Sequence, residues 1–386
     1  MSILGHSEVK IKLIPLVDKS STGKVRPWVK NKKNSVLLSE SYKRLGKDKR
    51  AERVRVCANW QLFNICENHH KFLKKAHFCG LRLCPMCAWR RTYKNGFQIR
   101  KVAHHATMEM KSVKLRWIFL TLTCKNVEGY ELPDQLDVLA KSWKRMTETK
   151  AFKDSVLGYF RATEVSRSAE YLITGDMYEK GKNYYDGLML EVGDINPNFN
   201  TYHPHFHVIM AVPSSYFKSK KYRKTEEWVQ MWRKAMKADY DPVVHVETVK
   251  MKRDKAMEEK ILYEKGLRIE AEVLPNEAVA ELAKYVTKAA DFIIPGNIVD
   301  TDEAVTILDA SLKGRKLFAY GGILKDVYDF LRKNGDVDDI ENEKTDLIHM
   351  DGKDDKNCTC PTCQSAFMEA YYKWLPDKKG YYLFPH

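Results

Sequence analysis

No run in this sequence approaches the 18 or so consecutive apolar residues of a membrane-spanning helix, so a membrane location is not expected. The opening Met1-Ser2-Ile3-Leu4-Gly5-His6 lacks the basic start and apolar centre of a secretion signal, and a cytoplasmic protein is expected. No Gly-x-x-x-x-Gly-Lys-Ser/Thr segment occurs, which excludes a phosphate-binding loop of that type. Nor is there an internal repeat, so a solenoid is excluded. Without a secretion signal, the nine cysteines do not read as a disulfide framework. Their number is odd and they are clustered, which in a reducing compartment points to metal sites.

What the chain does have is length and positive charge. Its 386 residues can bury a large core and form two or more units. Charged residues make up 30% and hydrophobic ones 44%, the balance of a soluble globular protein. The 66 Lys and Arg against 51 Asp and Glu leave a net charge of +15, which favours a polyanionic partner, most often nucleic acid, although charge alone also serves solubility.

Residues 1–50, basic from Lys19 to Arg50, read as an N-terminal arm. Strands are expected at 117–123, 159–166, 188–192, 205–212 and 243–249, from alternation and β-branched content. Helices are expected at 133–150 and 225–237, the second with Trp228 and Trp232 one turn apart as core residues. Residues 175–200 read as a loop or hairpin insertion, and 335–355 as an acidic linker. This order gives an α+β fold with helices on one side of an antiparallel sheet.

The most telling stretch is Tyr202-His203-Pro204-His205-Phe206-His207-Val208-Ile209-Met210. On a strand, His205 and His207 project to one face, about 7 Å apart along the chain, and can share a divalent metal. Phe206, Val208 and Met210 fall on the opposite, apolar face. The bland alternative is a pair of surface histidines.

Downstream, residues 276–291 read as one helix starting after Pro275. Glu281, Tyr285 and Lys288 would share one of its faces. A phenol, a carboxylate and an ammonium so arranged suit phosphoryl transfer, with Tyr285 as nucleophile, Glu281 as general base and Lys288 on the phosphate. A solvated Glu–Tyr–Lys face is the alternative.

A His-hydrophobic-His strand followed by Tyr-x-x-Lys resembles the HUH endonuclease superfamily. His-Pro-His-Phe-His with a Glu four residues before the Tyr resembles its branch of rolling-circle plasmid replication initiators, the Rep proteins. The strand Trp117-Ile118-Phe119-Leu120-Thr121-Leu122-Thr123 is similar to that branch's first motif. So are Phe78-Cys79-Gly80-Leu81-Arg82-Leu83-Cys84-Pro85-Met86-Cys87, Leu312-Lys313-Gly314-Arg315-Lys316 and Tyr320-Gly321-Gly322.

The resemblance spans about residues 54–330. It implies a central antiparallel sheet of about five strands with flanking helices, plus a small zinc-binding segment. The units would be a basic arm at 1–50, a Cys-rich DNA-contacting segment at 51–110 and an endonuclease core at 111–298. The remainder of the family region would follow at 299–334, then an acidic linker and Cys-containing tail at 335–386.

The implied function is sequence-specific nicking of single-stranded plasmid origin DNA through a 5′-phosphotyrosine, with strand transfer and closure at termination. Glu281 would then activate a water for the second cleavage. The metal ligands would be His205, His207 and Glu164, with Glu191 as runner-up for the carboxylate and His203 outside the set. Ligand chemistry suits Mn better than Mg, while abundance favours Mg, so the ion stays open. Cys79, Cys84 and Cys87 have zinc-like spacing. The resemblance implies Cys57 as fourth ligand, with Cys66, His69, His70 and His77 as alternatives. Arg90, Arg91 and Lys94, just beyond, are expected to meet DNA phosphates.

Cys358, Cys360 and Cys363 stay open between a weak zinc site, completed by His349 or His386, and none. Cys124 reads as core. Expected partners are single- and double-stranded origin DNA in a bacterial cytoplasm, with a host helicase; a homodimer is open. Two other readings stand beside this one: a non-catalytic, zinc-containing DNA-binding regulator, and a single-Tyr transposase of the same superfamily.

Overall fold

A computed structural model describes residues 13–20, 23–110, 112–265, 273–284, 287–350 and 359–384. Its helices, in chain order, are α1 (Trp28–Arg44), α2 (Asp48–Arg55), α3 (Pro85–Glu109), α4 (Leu132–Glu148), α5 (Lys150–Lys153), α6 (Gly175–Lys180), α7 (Lys182–Gly187), α8 (Thr225–Met236), α9 (Arg253–Glu264), α10 (Asn276–Ala283), α11 (Ile298–Ser311) and α12 (Ile323–Lys333). The strands are β1 (Trp60–Cys66), β2 (Lys71–Ala76), β3 (Leu115–Leu122), β4 (Gly158–Arg167), β5 (Tyr202–Pro213), β6 (Val244–Val249), β7 (Phe318–Gly322), β8 (Phe367–Leu375) and β9 (Gly380–Phe384). Among the described residues no helix is long and apolar enough to cross a membrane.

The α+β class and the five-stranded sheet are as expected. The order is β6-β3-β5-β4-β7, and every pairing is antiparallel. The period of two along β5 assigns its faces. Phe206, Val208 and Met210 pack with Ile118 and Leu120 against Trp143 of α4 and Trp228 and Trp232 of α8. Ile209 and Ala211 face the other way, into a core with Phe119, Phe160, Ile99 and Val102 of α3, Val279 and Leu282 of α10, and Leu324 of α12. Helices therefore cover both faces, not one. The expected core ended at residue 298, but β7 pairs with β4 and completes the sheet beyond it.

A second sheet, β2-β1-β8-β9, joins the two ends of the chain. Several expectations are corrected here. The basic arm is, from Trp28 to Arg44, a packed helix: Trp28, Leu38 and Tyr42 are 2%, 0% and 1% exposed. Its apolar residues follow a helical stripe that the intervening lysines disguise. The acidic linker is docked as well, with Val337, Ile340 and Leu347 buried in the core. It approaches the cysteine segment so closely that a Cβ at Gly80, whose φ is +71°, would collide with the Glu343 carbonyl. The tail beyond it carries β8 and β9. A strand expected at 188–192 does not form: α7 ends at Gly187 and a turn follows.

Candidate metal centre and the four-thiol cluster

Strand register builds the centre. His205 sits opposite Glu164 on β4, and His207 lies between Ala162 of β4 and Thr121 of β3. Three donor atoms converge: His207 Nε2 lies 3.1 Å from Glu164 Oε2 and 3.2 Å from His205 Nε2, and His205 Nε2 lies 3.6 Å from Glu164 Oε2. Glu164 and His207 are buried and His205 is half-buried.

Both imidazoles are oriented through their other nitrogen. His205 Nδ1 lies 3.0 Å from the His203 carbonyl oxygen, and His207 Nδ1 lies 3.3 Å from Thr121 Oγ1. The His203 carbonyl takes the Nδ1–H of His205, and the Thr121 hydroxyl, which can donate or accept, engages Nδ1 of His207, so that Nε2 of each ring is turned toward the centre. Burial raises the Glu164 carboxyl's pKa, but hydrogen bonds accepted from both histidines, the charge interaction with His205 and that with Lys288 outweigh it and hold the group well below the usual carboxylate range. The outcome is one carboxylate and two imidazoles converging in a pocket, a set that can bind a divalent cation.

His203 stacks on His205, with ring centroids 5.1 Å apart, and stays outside the donor set. Burial and the neighbouring His205 push its pKa down to about 4. Glu191 is exposed in the 175–200 insertion and takes no part.

The helix expected over 276–291 ends at Ala283. Lys284 leaves it with ψ of 130°, and a new turn, Ala289–Asp291, begins after Lys288. The Asp291 carboxylate caps that turn, accepting from the Lys288 N–H at 2.8 Å and from Thr287 Oγ1 at 3.0 Å. Such a cap competes with helix continuation, and β-branched Thr287 favours the break. Glu281 and Lys288 therefore do not share a helix face. They meet at the centre nonetheless: Glu281 Oε1 is 3.5 Å from His207 Nε2, and Lys288 Nζ is 3.3 Å from Glu164 Oε1. Tyr285 lies outside the described residues.

A cleft of about 380 Å³ opens beside Glu164. It is lined by Lys30 and Asn34 of α1, Pro85 and Trp89 of α3, and Lys284 and Lys288. Sequence reasoning missed Lys30, because α1 was not legible as a packed element.

Arg90, Arg91 and Lys94 are 2%, 1% and 1% exposed, and the structure corrects their expected role. Arg90 donates to the carbonyls of Leu347 and Ile348, Arg91 to those of Gly80 and Ile340, and Lys94 to that of Asp346. They fasten the 337–348 segment to α3 and offer no surface to DNA.

Cys57, Cys79, Cys84 and Cys87 come together at the start of α3, all buried. Cys57 Sγ lies 3.6 Å from Cys87 Sγ and 3.7 Å from Cys84 Sγ, and Cys79 Sγ lies 3.6 Å from Cys87 Sγ. A tetrahedron with Zn–S bonds of about 2.3 Å has S···S edges of about 3.8 Å, so the cluster is compatible with a structural zinc. Cys84 is the N-cap of α3, where the helix dipole favours thiolates. Lys32, fully buried, donates to the carbonyls of Arg55 and Cys57 at 2.8 and 2.7 Å. Burial lowers its pKa to about 8 against the pull of the neighbouring thiols. Its ammonium offsets the negative charge a four-thiolate site would carry. Cys124 is buried, donating to the Pro204 carbonyl at 3.1 Å.

The fold and its site define an α+β protein with a two-histidine, one-carboxylate centre on two adjacent strands of an antiparallel sheet, beside a basic cleft, and a buried four-thiol cluster at the start of α3. The family model described as a replication protein matches residues 70–382. A Rep protein of Bacillus amyloliquefaciens is 35% identical over 378 residues, covering 95% of this chain and 97% of the relative. One from Lactiplantibacillus plantarum is 33% identical, over 95% of this chain and 98% of the relative. One from Streptococcus pneumoniae serotype 2 is 31% identical, over 88% and 89%. No solved structure matches. The chain belongs to the replication protein family.

Proposed function

We propose that this protein initiates plasmid replication by nicking one strand of origin DNA, with Tyr285 as nucleophile. Family membership supports the replication role, and one observation carries the chemistry: Glu164, His205 and His207 converge beside a cation-lined cleft, and Glu281 and Lys288, from either side of Tyr285, reach the same centre. The Tyr285 oxygen attacks the scissile phosphorus, the P–O3′ bond breaks, and the departing oxygen takes a proton. A 5′-phosphotyrosine and a free 3′-OH result, and transfer back to a 3′-OH closes the strand at termination. Attack by Tyr285 and transfer back to a 3′-OH each exchange one phosphoester for another, so neither needs ATP, while the water cleavage at termination is a hydrolysis that frees the 3′-OH used for closure. A divalent ion held by Glu164, His205 and His207, Mn or Mg, would supply Lewis-acid polarisation of the phosphate. Lys288 binds a phosphate oxygen, and Trp89 offers a face on which a base can stack. Strand separation falls to a host helicase in the bacterial cytoplasm, or to DNA already extruded.

The direct test is incubation with single-stranded origin DNA and Mn²⁺, followed by peptide mapping of the covalent adduct. The expected attachment is at Tyr285; attachment at Tyr263 or Tyr320 would overturn the assignment. Tyr320 is stacked on Tyr328 at 4.2 Å, and burial and that neighbour raise its pKa, which makes it a poor nucleophile.

Glu281→Gln is expected to nick the origin and form the adduct, yet to accumulate multimeric single-stranded products. A carboxylate 3.5 Å from His207 Nε2 can activate the water of the second cleavage, and an amide cannot. Normal monomer release in an origin-plasmid assay would instead leave Glu281 as merely the ion-pair partner of Lys284.

The zinc reading of the four-thiol cluster has its own expected result. Replacing Cys84 and Cys87 by Ser should cost about 3–5 kcal/mol of stability and weaken origin binding with it. A melting curve unchanged from the parent's would count against a zinc there.

A further inference from the structure

Cys66, His70, Cys360 and Cys363 form a second cluster, made from the two ends of the chain. Cys66 Sγ lies 3.4 Å from His70 Nδ1 and 3.5 Å from Cys363 Sγ, and Cys360 Sγ lies 3.5 Å from His70 Nδ1. Bonds of about 2.3 Å to sulfur and 2.0 Å to nitrogen give tetrahedral edges of about 3.5–3.8 Å, matching these separations.

The backbone produces the convergence, not a chance meeting of side chains. Cys66 and His70 flank the β1–β2 turn, where the His69 N–H donates to the Cys66 carbonyl at 2.9 Å and the Cys66 N–H to the His70 carbonyl at 3.2 Å. Cys360 and Cys363 sit in a matching turn, where the Gln364 N–H donates to the Cys360 carbonyl and the Cys360 N–H to the Ser365 carbonyl, both at 2.8 Å. His69 and Gln364 close the two turns with φ of +60° and +61°, a conformation that costs a side-chain-bearing residue and persists where surroundings enforce it. The β1–β8 register then sets Cys66 opposite Phe367, which brings the two turns together. His349, expected to be able to complete this site, is instead bonded to Asp346 at 2.7 Å. His386 and Cys358 lie outside the described residues.

We propose that Cys66, His70, Cys360 and Cys363 bind a second, structural zinc that ties the C-terminal strands to the β1–β2 hairpin. Three soft thiolates and one imidazole select zinc over the hard cations suited to replication chemistry. Four protein ligands fill the tetrahedron and leave no position for water or substrate. The site stands independently of Tyr285 and of the four-cysteine cluster.

Elemental analysis of the purified full-length protein is expected to give two zinc per chain, falling to one in Cys360→Ser/Cys363→Ser. The cobalt-substituted protein should show two overlapping absorption envelopes, one from a four-thiolate site and one from a site of three thiolates and an imidazole. His70→Cys, a conservative replacement that does not depend on surviving ligand loss, should keep two metals and convert the spectrum to the four-thiolate form alone. One zinc in the parent protein that persists in the double Ser variant would overturn the proposal. So would a cobalt spectrum unmoved by His70→Cys, or a Cys66–Cys363 disulfide in place of metal in protein purified under reducing conditions.

Discussion

Tyr285→Phe protein is expected to bind single-stranded origin DNA as the parent does and to leave it uncut. The substitution removes one oxygen and keeps the ring, and the lysines that line the cleft are unchanged. Losing a nucleophile outright typically costs about 10⁴–10⁶ in turnover, and on the proposed mechanism it would also remove the atom that carries the adduct. Denaturing gels of labelled origin DNA report the missing adduct, and a mobility shift reports the retained binding. A variant that still cuts would move the nucleophile elsewhere. A variant that no longer binds would make Tyr285 a DNA contact instead.

His207→Ala is expected to abolish divalent-ion binding and cleavage together. His207 is the hub of the donor set, 3.1 Å from Glu164 and 3.2 Å from His205. Its removal should weaken Mn²⁺ binding by more than the roughly 10–100-fold that losing an orienting partner costs. Thr121→Val provides that smaller step, since it removes only the oxygen 3.3 Å from His207 Nδ1. Calorimetric titration with Mn²⁺ ranks the three proteins. Identical isotherms for parent and His207→Ala would put the ion at another site.

How much of this was legible depended on distance along the chain. The alternation around His205 and His207 put both imidazoles on one face and the apolar residues on the other, because strand parity is local. Glu164 was legible as a carboxylate on another strand, and register places it opposite His205. Cys57 was reachable only through family likeness. Arg90 looked like a DNA contact because nothing near it in sequence reveals that its guanidinium meets a carbonyl 257 residues away. The pairing of His70 with Cys360, 290 residues apart, was equally hidden, although each half of the site was noticed. The end of α10 at Ala283 turned on a competing cap from Asp291, eight positions further on, and helical propensity alone did not register it.

The sheet that joins the two ends also sets a timetable for biosynthesis. Cys66, at the end of β1, is separated by 297 residues from Cys363, just ahead of β8. At ribosomal rates of about 5–20 residues per second, β1 waits roughly 15–60 s for its second neighbour. During that interval the nascent β1–β2 hairpin presents an unpaired edge, the feature by which strands recruit strands from other chains. The lysines at 71, 74 and 75 on β2 discourage such encounters along the opposite edge of the hairpin. Chains released before residue 367 would keep the β1 edge open for good, so translation that stops early should yield aggregates in preference to a shortened, soluble initiator.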